Sequence, residues 1–288
     1  MIKNILKLLK LKHHIKNIVV LIPLIFSMKF VELSSCIFAL IAVVAFSLIA
    51  SAIYVFNDIL DIENDRLHPI KKNRPIASGQ ISLQLARVIF LCSTLMSVGL
   101  SLYLNIYVTL CVLAYLILNI CYSIKWKYIP IIDVVCIALG FILRVLAGCA
   151  ALLVVPSPLV ILLTFFTSMF FTFSKRKLEY QLIEDKGSCR KSIVEYNESL
   201  LNQYVAINAI LSIAFYFTYM LDPMTIQKTN SPLLYLTVIP FAIIIFRLLF
   251  KTFTCTNNDD PAIFIYKDRM IKYLVLSYLV VLFLVLWL

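Results

Sequence analysis

The strongest constraint in this sequence is a succession of apolar stretches, each about as long as a helix needs to cross a lipid bilayer. Such a span takes about 20 consecutive apolar residues. The composition agrees, since 62% of the 288 residues are hydrophobic and only 14% are charged, which excludes an ordinary soluble domain. We therefore predict an all-α polytopic membrane protein. The nine candidate spans lie near residues 17–34, 36–56, 83–101, 104–122, 131–153, 157–173, 203–221, 232–250 and 270–288.

The first of these spans carries the weakest signal. Its apolar core, from Ile18 to Phe26, is short, contains Pro23 and follows a run of lysines. That arrangement resembles the opening of a signal peptide, but no small-residue cleavage site follows it. We therefore expect a first helix that is retained.

The lysine and arginine residues set the expected orientation of the chain. With the N-terminus inside, 22 of the 26 lie on inner segments, as the positive-inside rule requires. This predicts a multi-pass protein of the cell (inner) membrane, with a cytosolic N-terminus and an outer C-terminus. Most acidic residues fall on the same side, so we expect the chemistry there. One transmembrane domain, 1–288, is expected, with cytosolic loops near 57–82, 123–130, 174–202 and 251–270.

Charge distribution and cysteine spacing argue against nucleic-acid binding, a zinc site and a disulfide framework. The formal net charge of +11 follows the membrane rule and no nucleic-acid-binding motif is present, so we expect no nucleic-acid partner. The eight cysteines are scattered without a C-x-x-C pair, which indicates neither a zinc site nor a disulfide framework.

An acidic stretch directly after the second span is the main candidate for a functional site. If the helix continues past the membrane, Asn57, Asp61 and Asp65 share one face and Asp58 flanks it. Carboxylates about 6 Å apart repel by roughly 3 kcal/mol per pair at an effective dielectric near 20, and a bound cation would turn this cost into attraction. Oxygen ligands favour Mg²⁺, which commonly completes its shell with substrate phosphates. The basic residues 71–74 would suit such phosphates.

The competing interpretation is a solvated helix end without a ligand. In that case the carboxylates would pair with Arg66, Lys71 and Lys72. The stepping by four residues, the junction with a membrane span and the basic run just downstream favour the metal site.

Further cations lie at the membrane boundary and inside it. A lipid-facing Arg144 would cost at least roughly 2.5–3.5 kcal/mol, so we expect it to face the protein interior, either in a functional site or paired with an internal carboxylate. Lys16 and Lys125 are either substrate ligands or ordinary anchors and topology markers. Lys175 and Glu179 are spaced to share a helix face, although cations at a membrane exit are often only topology determinants.

These residues together resemble the UbiA superfamily of intramembrane prenyltransferases, and within it the decaprenyl-phosphate phosphoribosyltransferase branch. The pattern N-D-x-x-D-x-x-x-D from Asn57 to Asp65 is similar to the first aspartate-rich motif of that superfamily. The resemblance covers nearly the whole chain and implies a fold of nine transmembrane helices around a polar cavity open to the cytosolic side. The other matching segments are Lys16-Asn17, Tyr54, residues 66–69, 74–79, 122–123, 133–134, 140–144, 174–176, 260–261 and 268–269.

The chain departs from ordinary superfamily members at the second aspartate-rich motif. Where a D-x-x-x-D pattern follows the sixth span in those proteins, this chain has residues 174–179, with the sequence S-K-R-K-L-E, and Glu184-Asp185 beyond. Cations there suit substrates that are rich in phosphate. The resemblance thus implies Mg²⁺-dependent transfer of 5-phosphoribosyl from phosphoribosyl diphosphate to a polyprenyl (decaprenyl) phosphate. The product would be a step toward a lipid-linked ribose or arabinose donor for cell-envelope glycan.

The resemblance also implies roles for individual residues. Asn57 and Asp61 would hold the metal, and Asp58, Asp61 and Asp65 would form the catalytic acidic group. Tyr54, one turn before Asn57, would sit beside the sugar. The remaining candidate substrate-binding residues are Lys16, Lys71, Arg74, Tyr122, Lys125, Arg144, Lys175 and Arg176.

Two other functions stay open at this stage. A prenyltransferase that moves a prenyl group from prenyl diphosphate to a small acceptor is favoured by the first motif and opposed by the missing second one. A membrane transporter would be supported by broken inverted repeats, which we do not detect. The sequence is also compatible with a homo-oligomer.

Overall fold

The structure is a computed structural model that describes residues 2–68, 71–181, 193, 195–254, 264 and 267–287, and of residues 2, 3 and 12 only the backbone. All regular secondary structure in these ranges is helical. The predicted all-α class is therefore confirmed.

Eight helices in the described part of the chain are long and apolar enough to cross a membrane. In chain order they are α3 (Leu33–Leu60), α5 (Leu83–Leu104), α6 (Ile106–Ile124), α7 (Ile132–Ala151), α8 (Pro158–Gln181), α9 (Glu198–Met220), α11 (Val238–Thr254, extended at its start by the 3-10 turn Leu234–Thr237) and α12 (Arg269–Trp287). The other α-helices are short: α1 (Ile2–Leu8), α2 (Ile22–Phe26), α4 (Ile62–Leu67) and α10 (Pro223–Thr229).

The first predicted span is not one continuous helix, so the count of nine spans is not confirmed. Its place is taken by a 3-10 helix, Leu11–Leu21, followed by α2 and a 3-10 turn, Lys29–Val31. Pro23 lies in the first turn of α2, where its missing N–H costs little. Met28 then adopts a left-handed backbone with φ of 57°, which ends the helical path.

The chain divides into two compact units, which are described separately. The first comprises residues 1–126 and 143–155. Its core forms where α3 packs against α5, α6 and the 3-10 helix Leu11–Leu21. Phe46, Ile49, Val108 and Val112 are buried there, since the apolar faces of these helices repeat with the helical period.

The second unit comprises residues 127–142 and 156–288. Helices α8 and α9 pack along their length, and α11 contacts α9 and α12. Phe170, Phe173, Leu201, Val205 and Ile245 are buried in this core. The prediction of a single transmembrane domain stays a prediction.

Both α3 and α8 extend past the apolar runs from which they were predicted. Helix α3 continues to Leu60 and α8 to Gln181. Each therefore carries the first part of a charged segment on a rigid helix end.

Candidate active site

The acidic motif lies at the end of α3 and on the short helix α4 that follows. The expected uninterrupted helix is broken at Asp61, whose φ and ψ are −95° and 11°. The register nevertheless survives the break, because the Asp61 N–H donates to the Asn57 carbonyl at 3.0 Å and the Asp65 N–H to the Asp61 carbonyl at 2.8 Å. The stepping by four residues predicted from the sequence is thus preserved in the backbone.

Two of the motif carboxylates are buried and share one arginine. Asp58 is 1% exposed and Asp65 is 3% exposed. Arg74 Nη1 lies 3.1 Å from Asp58 Oδ1 and 2.7 Å from Asp65 Oδ2, and Lys10 Nζ lies 2.8 Å from the same Asp58 oxygen. Two cations thus balance two carboxylates, which burial would otherwise make costly.

Of the basic residues named by the competing interpretation, Arg66 and the backbone of Lys71 contact groups other than the motif carboxylates. Arg66 Nε donates to the Ala77 carbonyl at 3.3 Å. The Lys71 backbone N–H donates to His68 Nδ1 at 3.3 Å; burial and the Lys71 cation lower the pKa of His68, and Asp65 opposes that shift. Lys71 itself is half-buried, and its role in binding substrate stays a prediction.

The residues present fit a divalent cation that also takes ligands from a substrate. Asp58 Oδ2 is buried and has no hydrogen-bond partner, so a carboxylate oxygen is left for an external ligand. Asn57 and Asp61 are half-buried on the same helix face. Each of these side chains can offer an oxygen atom as a metal ligand. Within the described ranges no three His, Cys, Asp or Glu side chains are grouped to hold a metal alone. Mg²⁺ commonly binds one or two carboxylates and completes its shell with water and phosphate.

The N-terminal arm, residues 2–16, packs beside the acidic motif. Lys10 Nζ lies 5.2 Å from the centroid of the half-buried Tyr54 ring, and the His13 ring centroid lies 5.7 Å from it. Lys7 Nζ donates to the Asn73 carbonyl at 2.9 Å. Lys16 is half-buried on this arm. Sequence reasoning missed Lys10, because nothing local distinguishes it from the other lysines of the arm.

Arg144 faces the interior of the first unit, as predicted. It is 5% exposed; its Nε donates to Asn17 Oδ1 at 2.8 Å and its Nη2 to the Tyr115 hydroxyl at 2.9 Å. The guanidinium carbon lies 4.8 Å from the Tyr115 ring centroid. Asn17 is fixed in turn, since its amide donates to Ser47 Oγ at 3.0 Å. An amide, a phenol and an aromatic face therefore hold this guanidinium in place.

A glycine allows the 3-10 helix to approach Arg144. Gly148 lies four residues after Arg144, and Val20 lies three residues after Asn17, so each pair shares a helix face. A Cβ at Gly148 would come far closer than 3.0 Å to the Val20 carbonyl oxygen and would lie 3.1 Å from Pro23 Cγ. Only glycine permits this packing.

The second unit contains a buried ion pair where α8 carries its charged end. Arg176 is 2% exposed; its Nε lies 2.8 Å from Asp133 Oδ2 and its Nη1 lies 2.6 Å from Glu179 Oε2. The Tyr196 hydroxyl accepts from the Ile131 N–H at 2.6 Å. Burial is the largest cause that raises the pKa of Tyr196 to about 12, so this phenol stays protonated at neutral pH.

The charged residues near the end of α8 differ in burial and in the groups that they contact. Glu179, predicted to share a face with Lys175, pairs with Arg176. Lys175 is half-buried and Lys177 is buried, with Nζ 3.5 Å from the Phe253 ring centroid. Phosphate binding by Lys175 and Arg176 stays a prediction.

The last predicted substrate residues lie at the end of α6. Tyr122 is half-buried and Lys125 is exposed at the residue that ends the helix. Their contact with a substrate also stays a prediction.

In the first unit the structure brings together Tyr54, Asp58, Asp65 and Arg74 around Lys10.

A second ionic cluster joins Arg247 and Lys251 of α11 to Asp268, which precedes α12. Arg247 Nη2 lies 3.0 Å and Lys251 Nζ 3.1 Å from Asp268 Oδ2. Asp268 Oδ1 also accepts from the backbone N–H groups of Met270 and Ile271 in the first turn of α12. Burial alone would raise the pKa of Asp268, but these hydrogen bonds and cations outweigh it and lower the pKa to about 2. Glu184-Asp185 and Asp260-Pro261, noted in the sequence, lie outside the described residues.

Solved membrane proteins share this arrangement of helices. A UbiA homolog from Archaeoglobus fulgidus bound to GPP and Mg²⁺ superposes with a TM-score of 0.72 at 18% identity, over 99% of this chain and 100% of the other. The apo structure of a UbiA homolog from Aeropyrum pernix K1 gives a TM-score of 0.67 at 13% identity, over 97% of each chain. At such identities the likeness defines the fold class: an integral, multi-pass membrane protein with a UbiA-type fold.

The profile of the UbiA prenyltransferase family matches residues 20–276, and the chain belongs to this family. It is 33% identical over 254 residues to a decaprenyl-phosphate phosphoribosyltransferase of Corynebacterium glutamicum, covering 85% of this chain and 75% of the relative. It is 29% identical over 246 residues to the protein of the same name in Mycolicibacterium smegmatis, covering 83% and 77%. The resemblance noted in the sequence is thereby confirmed.

Proposed function

We propose that this protein transfers the 5-phosphoribosyl group from phosphoribosyl diphosphate to a polyprenyl phosphate, releases diphosphate and depends on Mg²⁺. The names of its relatives support a transferase of this kind. The mixture of carboxylates and cations in the first unit supports a donor that carries several phosphates.

The observation that carries the proposal is the state of two carboxylates that contact the end of α8 or lie on it, Asp133 of α7 and Glu179 of α8. Asp133 is fully buried and bound to Arg176, and Glu179 is bound to the same guanidinium. These carboxylates are neutralised by a protein cation, so they are not presented as a second set of metal ligands. That arrangement favours phosphoribosyl transfer over ordinary prenyl transfer, for which the resemblance implies a second acidic motif.

The proposed reaction breaks and forms one bond each at the anomeric carbon of the ribose. An oxygen of the lipid phosphate attacks this carbon, the bond to the diphosphate oxygen breaks, and diphosphate leaves with the bonding electrons. A lipid phosphate is already ionised at neutral pH, so we assign no general base. Oxocarbenium character at the anomeric carbon would be tolerated beside the electron-rich ring of Tyr54.

The chain's own residues would bind and orient the two substrates. Asn57 and Asp61 are the proposed metal ligands, and Mg²⁺ bound there would neutralise charge on the leaving diphosphate. Arg74 holds Asp58 and Asp65 in place. The remaining proposed substrate-binding residues are Lys16, Lys71, Arg74, Tyr122, Lys125, Arg144, Lys175 and Arg176.

We further propose that the acidic motif faces the cytosol, with the N-terminus inside and the C-terminus outside. The distribution of lysine and arginine supports this orientation. Reporter fusions at the two ends of the chain test it: a cytosolic signal from the C-terminal fusion would contradict the proposed topology.

Diphosphate release by the purified protein tests the proposed reaction. The protein in lipid nanodiscs receives phosphoribosyl diphosphate, Mg²⁺ and decaprenyl phosphate, and we expect diphosphate release together with a phosphoribosylated lipid. Omission of the lipid phosphate is the control and should abolish release. The absence of release in the complete mixture would refute the proposal.

Prenyl transfer is the second candidate, favoured by fold likeness to homologs bound to GPP and to DMAPP. The same assay with geranyl diphosphate as donor and an aromatic or glycerol acceptor examines it. Transfer from geranyl diphosphate with no reaction of phosphoribosyl diphosphate would establish the second candidate instead.

A further inference from the structure

Lys10 joins two residues of the proposed donor site from a segment outside the acidic motif. Its ammonium lies 2.8 Å from Asp58 Oδ1 and 5.2 Å from the centroid of the Tyr54 ring. Its side chain is only 21% exposed. Asp58 and Tyr54 lie one helical turn apart on α3, so a single cation fixes both.

The backbone at Lys10 redirects the chain at this point. Lys10 has φ of 51° and ψ of 47°, a left-handed conformation that is uncommon for a residue with a side chain. Leu8 on one side of this turn is fully buried, and Ser51 Oγ donates to the Leu9 carbonyl at 3.2 Å. The turn is therefore anchored against α3, and such conformations cluster at functional sites.

The charges of this cluster balance only if Lys10 is counted. Asp58 and Asp65 contribute two negative charges, and Arg74 and Lys10 contribute two positive charges. Both cations bind Asp58 Oδ1, which leaves Oδ2 without a hydrogen-bond partner. Without Lys10 the cluster would carry a net negative charge, which would repel a donor that itself carries several phosphates.

We infer that Lys10 of the N-terminal arm is a positioning residue of the donor site, which orients Asp58 and the Tyr54 ring without touching the reacting atoms. The inference rests on the proposed function for the identity of the donor. It extends that function by adding a residue that no motif in the sequence marks as part of the site.

Kinetics of a matched set of variants test this role. Lys10→Met removes the charge and keeps the length of the side chain, and Lys10→Arg keeps the charge. Lys7→Met removes a lysine of the same arm whose ammonium donates to a backbone carbonyl. We expect Lys10→Met to raise KM for phosphoribosyl diphosphate about ten- to hundredfold with a smaller change in kcat, as the loss of one charge-assisted contact implies. Lys10→Arg should have a KM for phosphoribosyl diphosphate close to that of wild type. The KM of Lys7→Met should stay within about twofold of wild type.

Coupling to Asp58 separates positioning from a general effect on folding. If Lys10 acts through Asp58, the double variant Lys10→Met/Asp58→Asn should be no worse than Asp58→Asn alone. Wild-type kinetics of Lys10→Met, an equal effect of Lys7→Met, or full multiplication of the two single effects would each overturn the inference.

A labelling experiment tests the contact independently of any enzymatic activity. The protein is treated with a limiting amine-reactive acetylating reagent, and modification of each lysine is followed by mass spectrometry. We expect Lys10 to react at least about tenfold more slowly than Lys7, because its ammonium is held by a buried carboxylate, and to react faster in Asp58→Asn. Equal labelling of Lys10 and Lys7 in wild type would overturn the contact. Failure of the proposed function would show instead as absence of diphosphate release by the wild-type protein.

Discussion

Replacing Gly148 by alanine tests how closely the 3-10 helix Leu11–Leu21 must approach Arg144. The added Cβ would overlap the Val20 carbonyl oxygen, well inside the 3.0 Å that Cβ atoms essentially never breach. The 3-10 helix and α7 would have to move apart by about 1 Å to relieve this overlap. The Arg144 Nε to Asn17 Oδ1 distance, now 2.8 Å, would then exceed hydrogen-bond range.

Two costs follow from that shift. Overpacking of a close contact costs about 1–3 kcal/mol, and loss of a hydrogen bond to a charged group costs about 1.5–3 kcal/mol. At about 2–4 °C per kcal/mol for a chain of this size, we expect Gly148→Ala to lower the melting temperature in detergent by at least about 5 °C. Donor turnover should fall as well, because the Arg144 guanidinium loses one of the groups that hold it.

Gly99→Ala is the matched control within the same unit. A Cβ at Gly99 on α5 meets nothing within 4 Å, and alanine has the higher helix propensity by up to about 1 kcal/mol. This variant should be as stable as wild type or slightly more so. If Gly148→Ala matched Gly99→Ala in melting temperature and activity, the reasoning about close approach would be refuted.

The remaining predictions concern the metal, the end of α8 and pH. Excess chelator, or Asp61→Asn, should abolish diphosphate release while the melting temperature of the variant stays within a few degrees of wild type; full activity in chelator would remove the metal hypothesis. Lys175→Ala should raise KM for the donor about ten- to hundredfold. Arg176→Ala should destabilise the fold by about 3–5 kcal/mol, because it leaves buried Asp133 without its cation. A melting temperature of Arg176→Ala no lower than that of Lys175→Ala would contradict this division. Asp268, with its pKa lowered to about 2, should contribute stability that is present above about pH 4 and is lost as pH falls toward 2. Asp268→Asn should therefore flatten the fall in melting temperature across that window, and an unchanged slope would count against the assigned ion pair.

Local pattern was sufficient for most of the fold. Eight of the predicted spans appear as long helices because a stretch of about 20 apolar residues has few other stable solutions in a bilayer. The first span differed, since its short apolar core with Pro23 allowed a 3-10 helix and a short α-helix instead. Burial of Arg144 also followed from the sequence, because the cost of exposing its charge to lipid is so large.

The candidate site was only partly predictable. The stepping from Asn57 to Asp65 is a local property, and backbone hydrogen bonds preserve it even across the break at Asp61. The pattern did not reveal that Asp58 and Asp65 are buried while Asp61 is not. That difference depends on which elements cover the helix end, and the covering arm and loop come from other parts of the chain.

The sequence by itself determined the helical spans, the clustering of charge and the register of the acidic motif, since each depends on residues within one or two helical turns. Only the tertiary structure decided the partners of the charged groups. Lys10 meets Asp58 across 48 residues, Asn17 meets Arg144 across 127, and Arg176 meets Asp133 across 43. Such pairs form because packing of apolar helix faces brings the segments together, and that packing leaves no local signal at the charged residues themselves.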